Sequence, residues 1–445
     1  RPWIVHITSH DLGRYLGCYA MPGVVTPNLD RLAETGVRCA NAFCTAPQCS
    51  PSRASLYTGR YPHNTGVIGL THGNFGWDLD PAVPHLAELL QGAGYRTVGC
   101  AVMHEFQNAG EHGIEETVAL KPFAQEGENP IHAAPVARAA EHTLEAHADS
   151  TQPLYLQLGF FEPHRDISIT SGWPTNEPDT RRGIGLPGYL EDEPSAREDW
   201  ALFQGSIREL DAAMGRVLDK LDALGRADDT LIVFSADHGE PFPGAKCTLY
   251  EPGLAIAMLW RWPAGGVAGG RVVEDMVSNV DGHATLCELL GIDPGEHEGR
   301  SFAAGLRGEP FDGRDEIFGE LTYHTHYFPT RSVRTDRYKL IADFEDSGAV
   351  MDPSQQWRPM SKPTRHPDPK AHKPDLIELF DLENDPLEMR NLVAEAAHAE
   401  ALGACASRLL RHMRESDDLL ITDPPRSPTH RRTLERLEQA ASVSA

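Results

Sequence analysis

Along the first two thirds of the chain, short apolar runs alternate with stretches whose apolar residues recur every three or four positions. The runs at 3–7 (WIVHI), 153–159 (PLYLQLG) and 230–234 (TLIVF) are short and almost uniformly apolar, which predicts strands buried on both faces. Residues 96–99 and 254–260 predict two more strands. Between them, residues 28–34, 84–93 and 133–148 predict helices, the second closed by Gly94. The longest helical stretch is 194–224, where Phe203, Ile207, Leu210, Met214, Val217, Leu221 and Leu224 keep to one face. Strands interleaved with helices imply an α/β class, with a mostly parallel sheet covered on both faces. In such sheets the chemistry gathers at the carboxyl ends of the strands.

Beyond about residue 308 the pattern changes. Residues 331–342 read as a hairpin, 343–376 as a Pro-, Lys- and Asp-rich excursion, 376–380 as a short strand and 392–415 as a helix. The expected division is a main domain over 1–310 and a C-terminal subdomain over 311–445, whose polar end wraps the surface or frays.

Composition narrows the function. The 65 acidic and 40 basic residues leave a net charge of −25, which argues against binding nucleic acid or anionic membranes. With 40% hydrophobic and 24% charged residues the chain is expected to fold as a soluble globular protein. No apolar run approaches the roughly 20 residues of a membrane span. The eight cysteines are scattered and form no CxxC pair, so neither a disulfide framework nor a zinc finger is expected. The chain opens on Arg1-Pro2-Trp3, which leaves its compartment open: cytoplasmic, or periplasmic or secreted with a leader outside this numbering. An anionic substrate would need a small, local positive site.

Three candidate groups follow predicted strands: His10-Asp11, His164, and Asp237-His238. The sharpest motif lies elsewhere, in Cys49-Ser50-Pro51-Ser52-Arg53, continuing to Thr58-Gly59-Arg60. Pro51 pre-sets the first turn of a helix, whose free N–H groups would face position 49 and suit an anion. Arg53, one turn on, lies on the same side as Cys49.

This motif resembles the sulfatase signature C-x-P-x-R. The resemblance implies that Cys49 is oxidised to formylglycine, whose hydrate attacks sulfur, by a formylglycine-generating enzyme. It also implies a divalent metal held by residues after the first strand and at a later Asp-Asn or Asp-His pair. Here these are His10, Asp11, Asp237 and His238, with position 49 completing the set. His10 stands where an Asp is usual. Oxygen donors imply calcium, and the imidazole of His10 raises manganese or zinc as alternatives. His10 could instead hydrogen-bond sulfate. The family's K-x-H element falls at Val102-Met103-His104, so its His is present and its Lys is missing. Phe160-Phe161-Glu162-Pro163-His164 resembles the element whose His protonates the leaving group, and Lys246 matches a later sulfate-holding cation. Arg53, His104 and Lys246 are thus the sulfate-binding candidates.

Phe234 to Gly244, Leu249 to Gly253, His63 to Val67 and Gly69 to His72 look most like the N-sulfoglucosamine sulfohydrolase branch, and Glu378 to Leu382 like the usual sulfatase ending. The implied fold is alkaline-phosphatase-like: a large mixed sheet sandwiched by helices, plus a smaller α+β domain carrying an antiparallel sheet. The implied substrate is a sulfated or N-sulfated sugar, with His324 and His326 candidates for its leaving-group side. A homodimer is implied by the same branch. Two other readings stand beside the sulfatase: a phosphonate monoester or phosphodiester hydrolase of the same superfamily, and a sulfated-glycan binder without turnover.

Overall fold

Trp3–Ser9 forms β1, and all seven of its residues are buried. Successive side chains of a strand point to opposite faces, so such a strand must be covered on both sides. The same holds for β5 (Leu154–Gly159) and β6 (Thr230–Ala236). The chain is described here from a computed structural model covering residues 1–169, 171–344, 360–365 and 376–423. The excursion expected over 343–376 lies mostly outside these residues, and the polar C-terminal stretch wholly outside.

The other strands of the large sheet are β2 (Val37–Phe43), β3 (Arg96–Ala101), β4 (Glu116–Thr117), β7 (Ala255–Ile256), β8 (Met258–Arg261) and β9 (Arg271–Ser278). Their order is β4-β3-β5-β1-β6-β8-β2-β7, with β9 also on β2. The run β4-β3-β5-β1-β6 is parallel throughout, and β7 and β8 are antiparallel to their partners. The sheet is therefore mixed with a parallel centre. Helices α1 (Pro27–Thr35) and α4 (Ala133–Ala146) pack on α5 (Pro194–Ala223), while α2 (Cys49–Thr58) packs on α3 (Leu86–Gly92) and on Asp281–Leu290.

Register decides where the loops emerge. Ser9 lies level with Ala236 across β1–β6, and Thr8 level with Gly159 across β1–β5. The three loops that follow therefore leave the sheet side by side.

A second sheet, β10 (Ile317–Tyr323), β11 (Tyr327–Arg334), β12 (Tyr338–Asp343) and β13 (Ile377–Asp381), is antiparallel throughout. The helix Ala399–Glu415 packs on it, and Phe318, Val333, Leu340, Leu379, Leu409 and Met413 share its core. The two sheets are joined by buried ions: Lys339 Nζ lies 2.8 Å from both Glu251 and Glu388.

The predicted strand over 254–260 is present as two short strands, β7 and β8, preceded by a helical turn, Glu251–Leu254. β2 and β9 were not expected. β2 carries Arg38 and Asn41 at half-buried positions, and β9 has four exposed residues, so neither shows a clear apolar run. Among the described residues no helix is long and apolar enough to cross a membrane. Among the described residues no disulfide is formed, and seven of the eight cysteines are buried.

Candidate active site

Three parallel strands end at one level, and their loops deliver His10-Asp11, His164 and Asp237-His238 to one place. Asp11 takes φ of +56°, a left-handed conformation that Asp tolerates better than most residues, and this turns the chain sharply after His10. Its amide donates to Asp237 Oδ1 at 2.9 Å, which locks the two loops together. Gly239 must lack a side chain, because a Cβ there would stand 1.8 Å from the Pro252 carbonyl oxygen.

Cys49 arrives from another direction, as the first residue of α2. Every residue of that helix is buried, and Gly59 closes it at φ +71°. Ser52, on the first turn, donates to the Asp237 carbonyl, and Asn279 donates to Ser52 O at 2.9 Å.

The result is one buried cluster. Donor atoms of His10, Asp11, Cys49, Asp237 and His238 all lie within 4.8 Å of one another. His10 Nδ1 is 2.7 Å from Asp11 Oδ1 and 3.5 Å from Asp237 Oδ2. His238 Nε2 is 3.0 Å from Asp11 Oδ1, yet it has no hydrogen-bond partner of good geometry. Its Nδ1 lies 2.9 Å from the Gly239 carbonyl, which can only accept. The hydrogen is therefore on Nδ1, and in the neutral ring Nε2 turns a lone pair toward the carboxylates. Two carboxylates and an orphaned imidazole nitrogen converging on one point fit a divalent cation.

Positive groups surround the cluster. Arg53 is fully buried; its Nε donates to Asp237 Oδ2 at 3.1 Å, and one terminal nitrogen donates to Thr8 Oγ1 at 2.7 Å and the Val102 carbonyl at 3.1 Å. Its other terminal nitrogen, Nη2, has no hydrogen-bond partner among the described residues. Lys246 Nζ lies 2.8 and 3.1 Å from the two oxygens of Asp11. His104 Nδ1 is 3.3 Å from His10 Nε2, and the rings of His104 and His72 are 4.6 Å apart. His164 Nε2 is 3.8 Å from Asp11 Oδ2, and its Nδ1 faces the Arg165 carbonyl at 2.7 Å.

These surroundings reset the proton affinities. Burial works against the Cys49 thiolate, but Lys246 and His10 overcome it and hold the thiol well below its ordinary range. Burial disfavours the His10 and His238 cations, but the neighbouring anionic groups prevail: Cys49, Asp237 and Asp11 raise His10 to about 9, and Asp237 and Asp11 raise His238 to about 10. Burial lowers His104 to about 4 and His164 to about 3, so both rest neutral. His164 would act as an acid only after gaining a proton at Nε2.

Each catalytic or metal candidate named from the sequence thus lies in or beside this cluster. His324 and His326 sit at the β10–β11 turn, where Tyr323 N donates to Ile68 O at 3.0 Å. Position 102 supplies no cation, and its carbonyl instead receives Arg53. Sequence reasoning missed Thr8, Asn279 and the Arg165–Asp199 pair. Arg165 is paired bidentately with Asp199 at 2.8 and 2.9 Å and lies over the Trp173 ring, fixing the chain next to His164. Only its place beside His164 hinted at this.

The mixed sheet, the buried cysteine at a helix start and the convergent carboxylates and imidazoles fit a hydrolase of the alkaline-phosphatase-like architecture. Comparison with known proteins is consistent with that class. The Sulfatase family profile matches residues 2–292, and the profile for the C-terminal region of N-sulphoglucosamine sulphohydrolase matches residues 243–357. This chain belongs to the sulfatase family. It is 27% identical to human N-sulphoglucosamine sulphohydrolase over 94% of this chain and 91% of that protein. It is 26% identical to an ulvan-active sulfatase of Formosa agariphila over 94% of this chain and 81% of that one. A protein solved with its substrate D-glucosamine-2-N,6-O-disulfate shares the fold, with a TM-score of 0.73, 18% identity and coverage of 95% and 99%. So does the phosphonate monoester hydrolase of Agrobacterium radiobacter, with a TM-score of 0.69, 21% identity and coverage of 94% and 96%.

Proposed function

We propose that this sulfatase hydrolyses a sulfate ester or sulfamate on a sugar of the N-sulfoglucosamine kind, through a formylglycine made from Cys49. The observation that carries the reading is the position of Cys49: first in a buried helix, with its sulfur inside the cluster of His10, Asp11, Asp237 and His238. The names of the sulphohydrolase and ulvan-sulfatase relatives support a sugar substrate.

When bound, a divalent cation at these residues would neutralise sulfate oxygens and acidify the hydrated aldehyde. The family resemblance assigns calcium to that position. Asp11, Asp237, His238 and His10 hold the ion in this reading. Arg53 Nη2, buried and unpartnered, takes a sulfate oxygen. Lys246 and His104 flank the same oxygens. Once protonated at Nε2, His164 returns that proton to the leaving sugar oxygen or nitrogen as the bond to sulfur breaks. A formylglycine-generating enzyme is the partner that matures the chain, and the branch resemblance implies a homodimer.

A phosphonate monoester hydrolase is the second reading, favoured by the likeness to that enzyme's fold. The test is mass spectrometry of the peptide containing residue 49, from a host with the maturation enzyme, followed by turnover. Conversion to the aldehyde, and hydrolysis of N-sulfoglucosamine or 4-nitrophenyl sulfate that Cys49→Ala abolishes, are expected. A higher kcat/KM on phosphonate esters would favour the second reading. An unmodified thiol with no turnover would defeat both.

A further inference from the structure

We propose that this site selects a first-row transition ion of the manganese–zinc group over calcium, with His10 as the selecting residue. The proposal rests on the reading of the cluster as a metal centre and goes on to name its ion.

Calcium asks for roughly six to eight oxygen ligands, with carboxylates often bidentate. The protein cannot supply that here. Both oxygens of Asp11 already face Lys246, at 2.8 and 3.1 Å. Asp237 Oδ1 accepts the amides of Asp11 and His238, each at 2.9 Å, and Oδ2 accepts Arg53 Nε at 3.1 Å. With both oxygens so occupied, each carboxylate is suited to offer a single oxygen. Two carboxylate oxygens, two imidazole nitrogens and one oxygen from residue 49 make a mixed set of about five donors, which suits manganese or zinc and leaves calcium short.

The two imidazoles cannot withdraw. The Gly239 carbonyl fixes the His238 tautomer, so Nε2 faces the cluster. His10 is wholly buried and wedged against the rings of His164 at 4.3 Å and His104 at 5.2 Å. Its Nδ1 faces Asp11 and Asp237, while Nε2 faces His104 Nδ1 at 3.3 Å. With Nε2–H donated to His104, the Nδ1 lone pair faces a carboxylate oxygen 2.7 Å away, two donor atoms set to share one cation. His10 also removes one negative charge relative to an Asp, which costs calcium more than an ion that bonds well to nitrogen.

The test uses full-length chain freed of metal by chelation. Binding of Mn2+, Zn2+, Co2+ and Ca2+ is measured calorimetrically, and retained metal is counted after dialysis. One transition ion per chain is expected, bound at least about tenfold more tightly than calcium. His10→Asp should shift that ratio about tenfold or more toward calcium. Because that variant could misfold, electron-spin-echo spectroscopy of the Mn2+-loaded wild type supplies a second readout, with nitrogen couplings from two imidazoles expected. Tighter binding of calcium, or manganese with coupling from one imidazole or none, would overturn the proposal while leaving the sulfatase reading intact. The one-imidazole outcome would place His10 on sulfate. Binding of no divalent ion would overturn the metal centre itself.

Discussion

Arg53 is the residue whose removal the structure prices most directly. It is completely buried, and Arg53→Met keeps most of its length while removing the charge and three hydrogen bonds, to Asp237, Thr8 and Val102. Breaking a buried ion pair from one side costs about 3–5 kcal/mol, because the partner charge stays buried and uncompensated. Asp237 keeps two backbone amides on its other oxygen, which places the cost near the lower end, at about 3 kcal/mol. Arg31→Met is the control: its pair with Asp219 is 2.8 Å long but its side chains are 41% and 68% exposed, so about 1 kcal/mol or less is at stake. The assay is urea unfolding followed by tryptophan fluorescence, read from the fully buried Trp3, Trp173, Trp200 and Trp260. Metal gives an independent check. With its competing cation gone, Asp237 should hold a divalent ion more tightly, and a ligand at about 100 times its Kd adds about 2.7 kcal/mol to the folded state. The metal-dependent gain in stability should therefore be larger in Arg53→Met than in wild type. A loss no greater than that of Arg31→Met, or an unchanged response to metal, would refute the reasoning.

Arg165→Leu leaves Asp199 buried with only Trp173 Nε1 and Ser361 Oγ to satisfy it, so a loss of about 3 kcal/mol is expected by urea unfolding. Turnover should fall mainly in kcat, because the chain beside His164 loses its anchor. Lys339→Met leaves buried Glu388 without its cation while Glu251 keeps Arg334 at 3.3 Å; about 3 kcal/mol should be lost, with limited proteolysis cutting first in the small sheet. Acid should destabilise the protein from below pH 6.5. Burial, together with His85 for His6 and His63 for His412, lowers both pKa values from 6.5 to about 3, so the folded state resists protons that the unfolded chain accepts. That stability is complete above pH 6.5 and drains away as pH falls toward 3, on the order of 4–5 kcal/mol per histidine. His412→Phe should flatten the loss measured by unfolding between pH 7 and pH 4; an unchanged slope would show that half-buried His412 does not resist protonation in the folded state.

The order of strands and helices was legible because buried parallel strands must be apolar at every position, and the ends of β1, β5 and β6 carried His10, Asp11, His164, Asp237 and His238 in plain view. Cys49 and Arg53 were legible by motif and by their one-turn spacing. β2 and β9 were not, because a half-exposed strand shows neither an apolar run nor a strict alternation. Asn279 was hidden for the same reason, since it follows a strand that the pattern did not reveal.

The sequence alone determined the chemical inventory: the cysteine of a sulfatase-like motif at 49, carboxylates and imidazoles after strands, and His10 and Val102 where an Asp and a Lys are usual. Convergence belongs to the tertiary structure. Only the parallel register brings residues 10, 164 and 237 to one level, and only packing buries His10 and Asp237 with His164 at their edge. The arrest of Arg53 by the Val102 carbonyl and the Lys246 contact on Asp11 arise between segments far apart in the chain. They depend on distances of a few ångströms, which no one-dimensional pattern encodes.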